Sequence, residues 1–125
     1  MSQTRRAARR TALFLLYQWD LTGQPLTSLY EGEVDAFAAD LAEVVVARAP
    51  ELDELIGGAT EGWTVDRLGV VERNVLRIAV LELLDARVPK EVAINEAVSL
   101  AKRYASDEAG KLVNGILGKV AREAA

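Results

Sequence analysis

The chain has 125 residues and half of them are hydrophobic, which is enough for one domain with a buried core and argues against disorder. It contains no cysteine and no histidine, so disulfides, thiolate zinc sites and the serine–histidine–aspartate type of hydrolase are excluded. The net charge is −4, but residues 1–19 hold four arginines and no acid, whereas residues 31–61 hold nine acids and one arginine.

The N-terminal part of the chain could be confused with a secretory signal, because arginines precede an apolar stretch. That stretch contains Gln18 and Asp20 and lacks a small-residue cleavage site. No apolar run approaches the roughly 20 residues that span a bilayer. We therefore expect a cytoplasmic protein with no membrane contact, made of a single domain over residues 1–125.

The spacing of the apolar residues predicts an all-α fold, since no strand-like alternation is found. Pro50 is expected to end one helix and start another, and Gly57 and Gly58 to weaken or end the latter. Pro89 opens a later helix, and Ser106 is expected to cap the last one. The predicted elements cover about residues 4–21, 29–48, 50–58, a short turn at 64–68, 71–86 and two helices within 88–120.

The first predicted helix concentrates positive charge. At about 100° per residue, its arginines fall within one sector, and the apolar residues gather on the opposite side. Arginine forks suit phosphate oxygens, and a neighbouring aromatic ring can stack on an unpaired base. The alternative is that the arginines only solvate a helix end. The sector contains Arg5, Arg6, Arg9, Arg10 and Tyr17.

The helix predicted over residues 71–86 begins with an acid and continues with two arginines. Glu72 lies near the helix start, where the dipole favours a negative charge. Arg73 and Arg77 are four residues apart, so they either form a solvated face or add to an RNA-binding surface. Glu82 lies among leucines and is interpreted as a partly covered structural acid.

The last two predicted helices carry several polar positions with two interpretations each. Lys102 either meets phosphate or is only solvated. Asp107 and Glu108 are more typical of a helix start than of a catalytic or metal-binding acid pair, because no histidine accompanies them. Gly115 and Gly118 each lower the stability of a helix by about 1 kcal/mol relative to alanine. Their presence is explained either by close helix packing or by a low surface that admits a partner.

Three separated sequence motifs occur in an order that resembles the NusB family. The first is LYQW at residues 16–19 after the arginine-rich start, and the second is GVVERNVLRIA at residues 69–79. The third combines VAINEAVSLAK at residues 92–102 with KLVNGILGK at residues 111–119. The resemblance implies a compact all-helical domain of about six to seven helices in two small subdomains.

The resemblance also implies roles for individual residues. In this family the arginine-rich start contacts RNA, and the partner protein NusE, a small-subunit ribosomal protein, is contacted by acids of the later helices. Leu112 stands where the family has an aromatic residue. The resemblance implies RNA binding by Arg5, Arg6, Arg9, Arg10 and Tyr17, and NusE binding by Glu72, Glu108 and Leu112. Arg73, Arg77 and Lys102 join the predicted RNA-binding residues because their positive charges suit phosphate.

The function implied by the resemblance is transcription antitermination. The protein would bind the boxA sequence of ribosomal RNA leader transcripts together with NusE and support assembly of the antitermination complex on RNA polymerase. We expect no catalytic residue, no cofactor and no metal. A homodimer is compatible with the family, whose members occur as monomers and dimers, and a dimer could cover the arginine helix.

Two other functions are compatible with parts of the sequence. A NusB-like domain also begins some ribosomal RNA cytosine methyltransferases, but this chain has no glycine-rich cofactor turn and no cysteine nucleophile. The other is a helical adaptor whose arginines bind an acidic protein. A salt-dependent RNA titration separates the adaptor from the RNA-binding protein.

Overall fold

The structure, a computed structural model, describes residues 4–62 and 64–123, and the regular secondary structure in these ranges is helical. The predicted all-α fold is confirmed, with five α-helices in those ranges and no strand. The 3₁₀ turn at Val65–Arg67 matches the short turn predicted over residues 64–68, and a second 3₁₀ turn at Leu26–Leu29 was not predicted. The separate helix predicted over residues 50–58 merges with the helix before it, so these ranges hold fewer α-helices than the six to seven expected. The helices are α1 (Arg5–Thr22), α2 (Ala36–Gly58), α3 (Val70–Leu84), α4 (Lys90–Tyr104) and α5 (Asp107–Glu123).

Side-chain caps define several helix starts. The Thr4 hydroxyl accepts a hydrogen bond from the Ala7 amide at the start of α1. Ser106 caps α5 as predicted, since its hydroxyl accepts from the Ala109 amide at 3.0 Å. At the other end of α1, Gly23 adopts a left-handed conformation with φ of 71° and donates its amide to the Trp19 carbonyl.

The predicted helix break at Pro50 is wrong, because α2 continues through this residue for 23 residues in all. Proline lacks the amide that would bond the carbonyl four residues earlier, and an interior proline costs about 3 kcal/mol. Pro50 is exposed, so its ring lies on the solvent side, while one apolar stripe is buried on both sides of it. That stripe consists of Leu41, Val45, Ala49, Leu52 and Ile56. Burial of a continuous stripe outweighs the local penalty.

Helix α3 is the centre of the fold. It packs against α1, α2, α4 and α5, and all nine of its residues from 74 to 82 are buried. The pairs α1/α2 and α4/α5 each pack together and on α3, so two helical groups share this helix. One hydrophobic cluster runs through all five helices. No helix within the described residues is both long enough and apolar enough to cross a membrane.

Candidate nucleic-acid interface

Arg9 does not lie on the exposed face of α1, contrary to the prediction. It is 3% exposed, and its Nε and Nη2 atoms donate to the two oxygens of Glu82 at 2.9 and 2.8 Å. These hydrogen bonds raise the pKa of Arg9 above its ordinary value. Because α1 packs on both α2 and α3, its buried face is wider than its apolar stripe indicates and includes Leu13. Glu82, expected to be partly covered, is fully buried.

A second ion network removes Arg73 and Arg77 from the predicted RNA-binding surface. Arg73 donates to both oxygens of Asp20 at 2.6 and 2.8 Å, and to the Leu68 carbonyl. Arg77 donates to both oxygens of Asp53 and, through Nη1, to Asp20. Every guanidinium nitrogen of the two arginines is therefore engaged within the fold. Their spacing correctly placed them near one side of α3, but that side is covered.

Asp20 joins the end of α1 to α3. It also accepts a hydrogen bond from the Asn74 side-chain amide at 2.9 Å. Burial by itself would raise the pKa of this carboxyl, but the hydrogen bonds from Arg73 and Asn74 and the charge of Arg77 outweigh burial and lower it. Asp20 is therefore an ionised anchor for three side chains of α3.

The cations that α1 presents to solvent are Arg5, Arg6 and Arg10. Arg6 pairs with Glu96 of α4 at 2.9 Å. Because the Arg6 side chain is 79% exposed, this ion pair is weak, and another anion can replace Glu96 as the partner of Arg6. Arg5 lies over the Phe37 ring, 3.7 Å from its centroid. Arg10 is half-buried and forms no ion pair with any residue in the described ranges.

An aromatic cluster continues this basic face. Tyr17 is 39% exposed, and Phe14, which sequence reasoning missed, is 44% exposed. Phe14 meets Tyr104 of α4 edge to face, with ring centroids 5.1 Å apart, and Arg103 lies over the Tyr104 ring. The rings of all three residues line a shallow groove of about 240 Å³. On the helical wheel Phe14 falls outside the apolar side of α1, and this position is the feature of the sequence that indicates an exposed side chain.

We call this region the arginine–aromatic surface, formed by Arg6, Arg10, Phe14, Tyr17 and Tyr104. Residues 6, 10 and 14 are successive steps of four along α1, so two guanidiniums lead directly to a ring. Guanidiniums bind phosphate oxygens and exposed rings stack on unpaired bases of any sequence. The surface therefore has the chemistry of a single-stranded nucleic-acid site.

Lys102 lies in the last turn of α4 and faces α5. Its aliphatic stem crosses Gly110 of α5, because a Cβ added to Gly110 would lie 2.6 Å from the Lys102 Cγ atom. Lys102 is exposed and forms no ion pair within the described parts of the chain. The missing side chain at Gly110 therefore sets the path of the lysine stem.

The three predicted partner-binding residues differ in exposure. Glu72 is half-buried, with its carboxylate folded over Gly69, where an added Cβ would lie 2.5 Å from the Glu72 Oε2 atom. The Glu108 side chain is 86% exposed, and its carboxylate lies 3.6 Å from Lys111. Leu112, one turn further along α5, is 43% exposed. Among the described residues, no group of three acids is placed to hold a metal ion.

Comparison with known proteins relates residues 6–122 of the chain to the NusB family model. A transcription antitermination protein NusB from Rubrobacter xylanophilus is 42% identical over 121 residues, covering 91% of this chain and 87% of the relative. The fold is similar to T. maritima NusB, at 34% identity and a TM-score of 0.86, covering 98% and 94% of the two chains. It is also similar to a chain in the crystal structure of antitermination factors NusB and NusE in complex with dsRNA, at 35% identity, a TM-score of 0.84 and coverages of 95% and 96%.

The buried Arg9–Glu82 pair yields a prediction about stability. Glu82→Gln leaves the Arg9 charge buried without a counter-charge, so the free energy of unfolding should fall by about 3–5 kcal/mol in urea denaturation. Glu96→Gln is the matched control, since it breaks the exposed pair with Arg6 and should leave the denaturation midpoint nearly unchanged. The double change Arg9→Met with Glu82→Leu should recover much of the loss. Equal midpoints for the two single variants would contradict the role of the buried pair.

Proposed function

The chain belongs to the NusB family, and from that membership we propose that it is an RNA-binding transcription antitermination factor. The proposed RNA is the boxA sequence of ribosomal RNA leader transcripts. The observation that carries the proposal is the arginine–aromatic surface, which combines exposed guanidiniums with exposed rings in a chain whose net charge is −4.

The proposed RNA site differs from the sequence prediction in its membership. Arg5, Arg6, Arg10, Tyr17 and Lys102 remain, and Phe14 and Tyr104 join them as stacking positions. Arg9, Arg73 and Arg77 support the site from within by holding α1 against α3, because Arg9 of α1 pairs with Glu82, and Arg73 and Arg77 of α3 pair with Asp20. Phosphate binding by the arginines supplies most of the affinity, and stacking favours unpaired bases.

The proposed protein partner is NusE, which is bound together with NusB and dsRNA in a crystal structure of similar fold. We assign Glu72, Glu108 and Leu112 to this contact. Glu108 and Leu112 are exposed one turn apart on α5, and Glu72 lies in the first turn of α3. The complex with RNA and NusE would then join the antitermination assembly on RNA polymerase. A homodimer that covers the arginine–aromatic surface would compete with RNA.

The role of the exposed arginines is tested by Arg6→Ala with Arg10→Ala. Binding to single-stranded boxA RNA should weaken, and the slope of log affinity against log salt should fall by about 0.7 for each phosphate that is no longer bound. The matched control is Arg48→Ala with Arg67→Ala, which removes the same charge from two other elements. Both double variants should keep the native circular dichroism spectrum. Equal affinities and slopes for the two would rule out a phosphate site on α1.

The path of the Lys102 stem gives a second test. Gly110→Ala places a methyl group where the stem lies, and the flexible lysine must move aside. The helix itself gains up to about 1 kcal/mol, so thermal stability should hold or rise while RNA affinity falls. Lys102→Met should lower affinity similarly, and the double variant should be no weaker than Lys102→Met alone. Additive losses would mean that Gly110 acts independently of Lys102.

The assignment of Glu72 to the protein partner is tested by charge reversal. Glu72→Lys should impair binding of NusE and leave binding to RNA alone intact or slightly stronger, because it adds positive charge. The association rate with NusE and its salt dependence should change most, as expected for a charge at the edge of an interface. Titrations of RNA with and without NusE separate the two roles. An equal loss in both would place Glu72 in the RNA site or the fold.

A further inference from the structure

A cleft between the start of α1 and the start of α4 continues the arginine–aromatic surface. It has a volume of about 460 Å³ and shares Arg6 with that surface. Val88 and Val92 contribute apolar side chains, and Val92 is 41% exposed. The cleft opens at the first turn of α1, where the backbone amides of the helix and the Arg6 guanidinium both favour a phosphate. A nucleotide, which joins a phosphate to a flat base, matches this combination of groups.

Glu96 is the acid that lines this cleft, and Arg6 binds it along one edge of the guanidinium. The Arg6 Nε atom donates to Oε2 of Glu96 at 3.2 Å, and Nη2 donates to Oε1 at 2.9 Å. The Arg6 side chain is 79% exposed, whereas the Glu96 side chain is only 16% exposed. The arginine is therefore free to turn toward a phosphate, while the carboxylate stays within the cleft.

The Glu96 carboxylate needs new donors once Arg6 turns to a phosphate, because an unpaired charge that is mostly covered is destabilising. Arg9 also lines the cleft, but its Nε and Nη2 atoms already bind the two oxygens of Glu82 at 2.9 and 2.8 Å. The cleft therefore favours a nucleotide whose own base supplies donors to Glu96.

Guanine is the base whose donors match this carboxylate. An ionised carboxylate only accepts hydrogen bonds, and it has two oxygens with which to do so. The Watson–Crick edge of guanine carries N1–H and N2–H side by side, as the Nε–Nη2 edge of Arg6 does. Cytosine and adenine carry one amino group beside an acceptor nitrogen, and uracil carries one N–H between two carbonyl oxygens. Proteins bind the unpaired bases of RNA on this edge.

We propose that the cleft binds one guanosine of the RNA, with a phosphate on Arg6, the base against Val88 and Val92, and N1–H and N2–H donated to Glu96. The inference rests on the proposed function and adds a specificity-determining residue to it. In the free protein the guanidinium of Arg6 occupies the place of the guanine edge. Binding thus exchanges one pair of parallel donors on Glu96 for another.

The test removes one group from the RNA and one charge from the protein. Inosine in place of guanosine, at one position of boxA RNA at a time, removes the N2 amino group alone. At one position this change should weaken binding to the unmodified chain about tenfold, as expected for one hydrogen bond to a charged group. In Glu96→Gln, which has a single accepting oxygen, the same change should weaken binding by no more than about twofold.

Glu91→Gln is the matched control, because it removes an acid from the first turn of the same helix, outside the lining of the cleft. It should keep the tenfold effect of inosine. Comparing guanosine with inosine within each variant cancels any general rise in affinity that follows from the loss of a negative charge. An inosine effect of equal size in Glu96→Gln and the unmodified chain at every position, or none in either, would overturn the inference and leave RNA binding intact.

A second variant tests the cleft without changing its charge. Val92→Asn should weaken binding to boxA RNA about threefold, because the base no longer covers an apolar side chain. Leu55→Asn, at an exposed leucine of α2, is its control and should bind as the unmodified chain does. Equal affinities for these two variants would show that no base lies on Val92. Failure of the unmodified chain to bind boxA RNA would instead remove the proposed function, and the guanosine site with it.

Discussion

The burial of residues 74–82 of α3 on all sides is the constraint from which the orientation of α1 follows. Polar side chains on a helix that is fully enclosed must find partners inside the protein, since an unpaired buried charge is strongly destabilising. Glu82 finds Arg9, and Arg73 and Arg77 find Asp20. Both links run from α3 to α1, near its start and near its end, so they fix how α1 is rotated about its axis.

That rotation determines which side chains of α1 are exposed to solvent. With residues 9 and 20 turned inward, residues 6, 10, 14 and 17 of α1 are left on its outer side. Arginine therefore has two distinct roles on α1. Arg9 supports the fold, whereas the guanidiniums of Arg6 and Arg10 are available to bind an anion from solvent. The exposed rings of Phe14 and Tyr17 lie beside them, outside the buried core, and exposed rings of this kind are typical of a binding surface.

The proposed RNA and protein surfaces are connected through the packing of α4 on α5. Lys102 projects from the end of α4 across Gly110 at the start of α5. Glu108 and Leu112 lie on either side of Gly110, within the first two turns of α5. Glycines shape both surfaces by the side chains that they lack: Gly110 admits the stem of Lys102, and Gly115 leaves its part of the α5 surface without a side chain. Small residues on α5 thus define local surface shape at modest cost to the helix.

The sequence by itself determined the helical class, several helix ends and the family, because apolar periodicity, Ser106 as a cap and the three motifs are local patterns. Which charges are buried was decided only by the tertiary structure. Arg9 and Glu82 are 73 residues apart, and a helical wheel shows directions without showing how many neighbours cover them. The same explanation applies to Pro50 within α2. Its local propensity favours a helix break, but the burial of one continuous apolar stripe against distant helices keeps α2 unbroken.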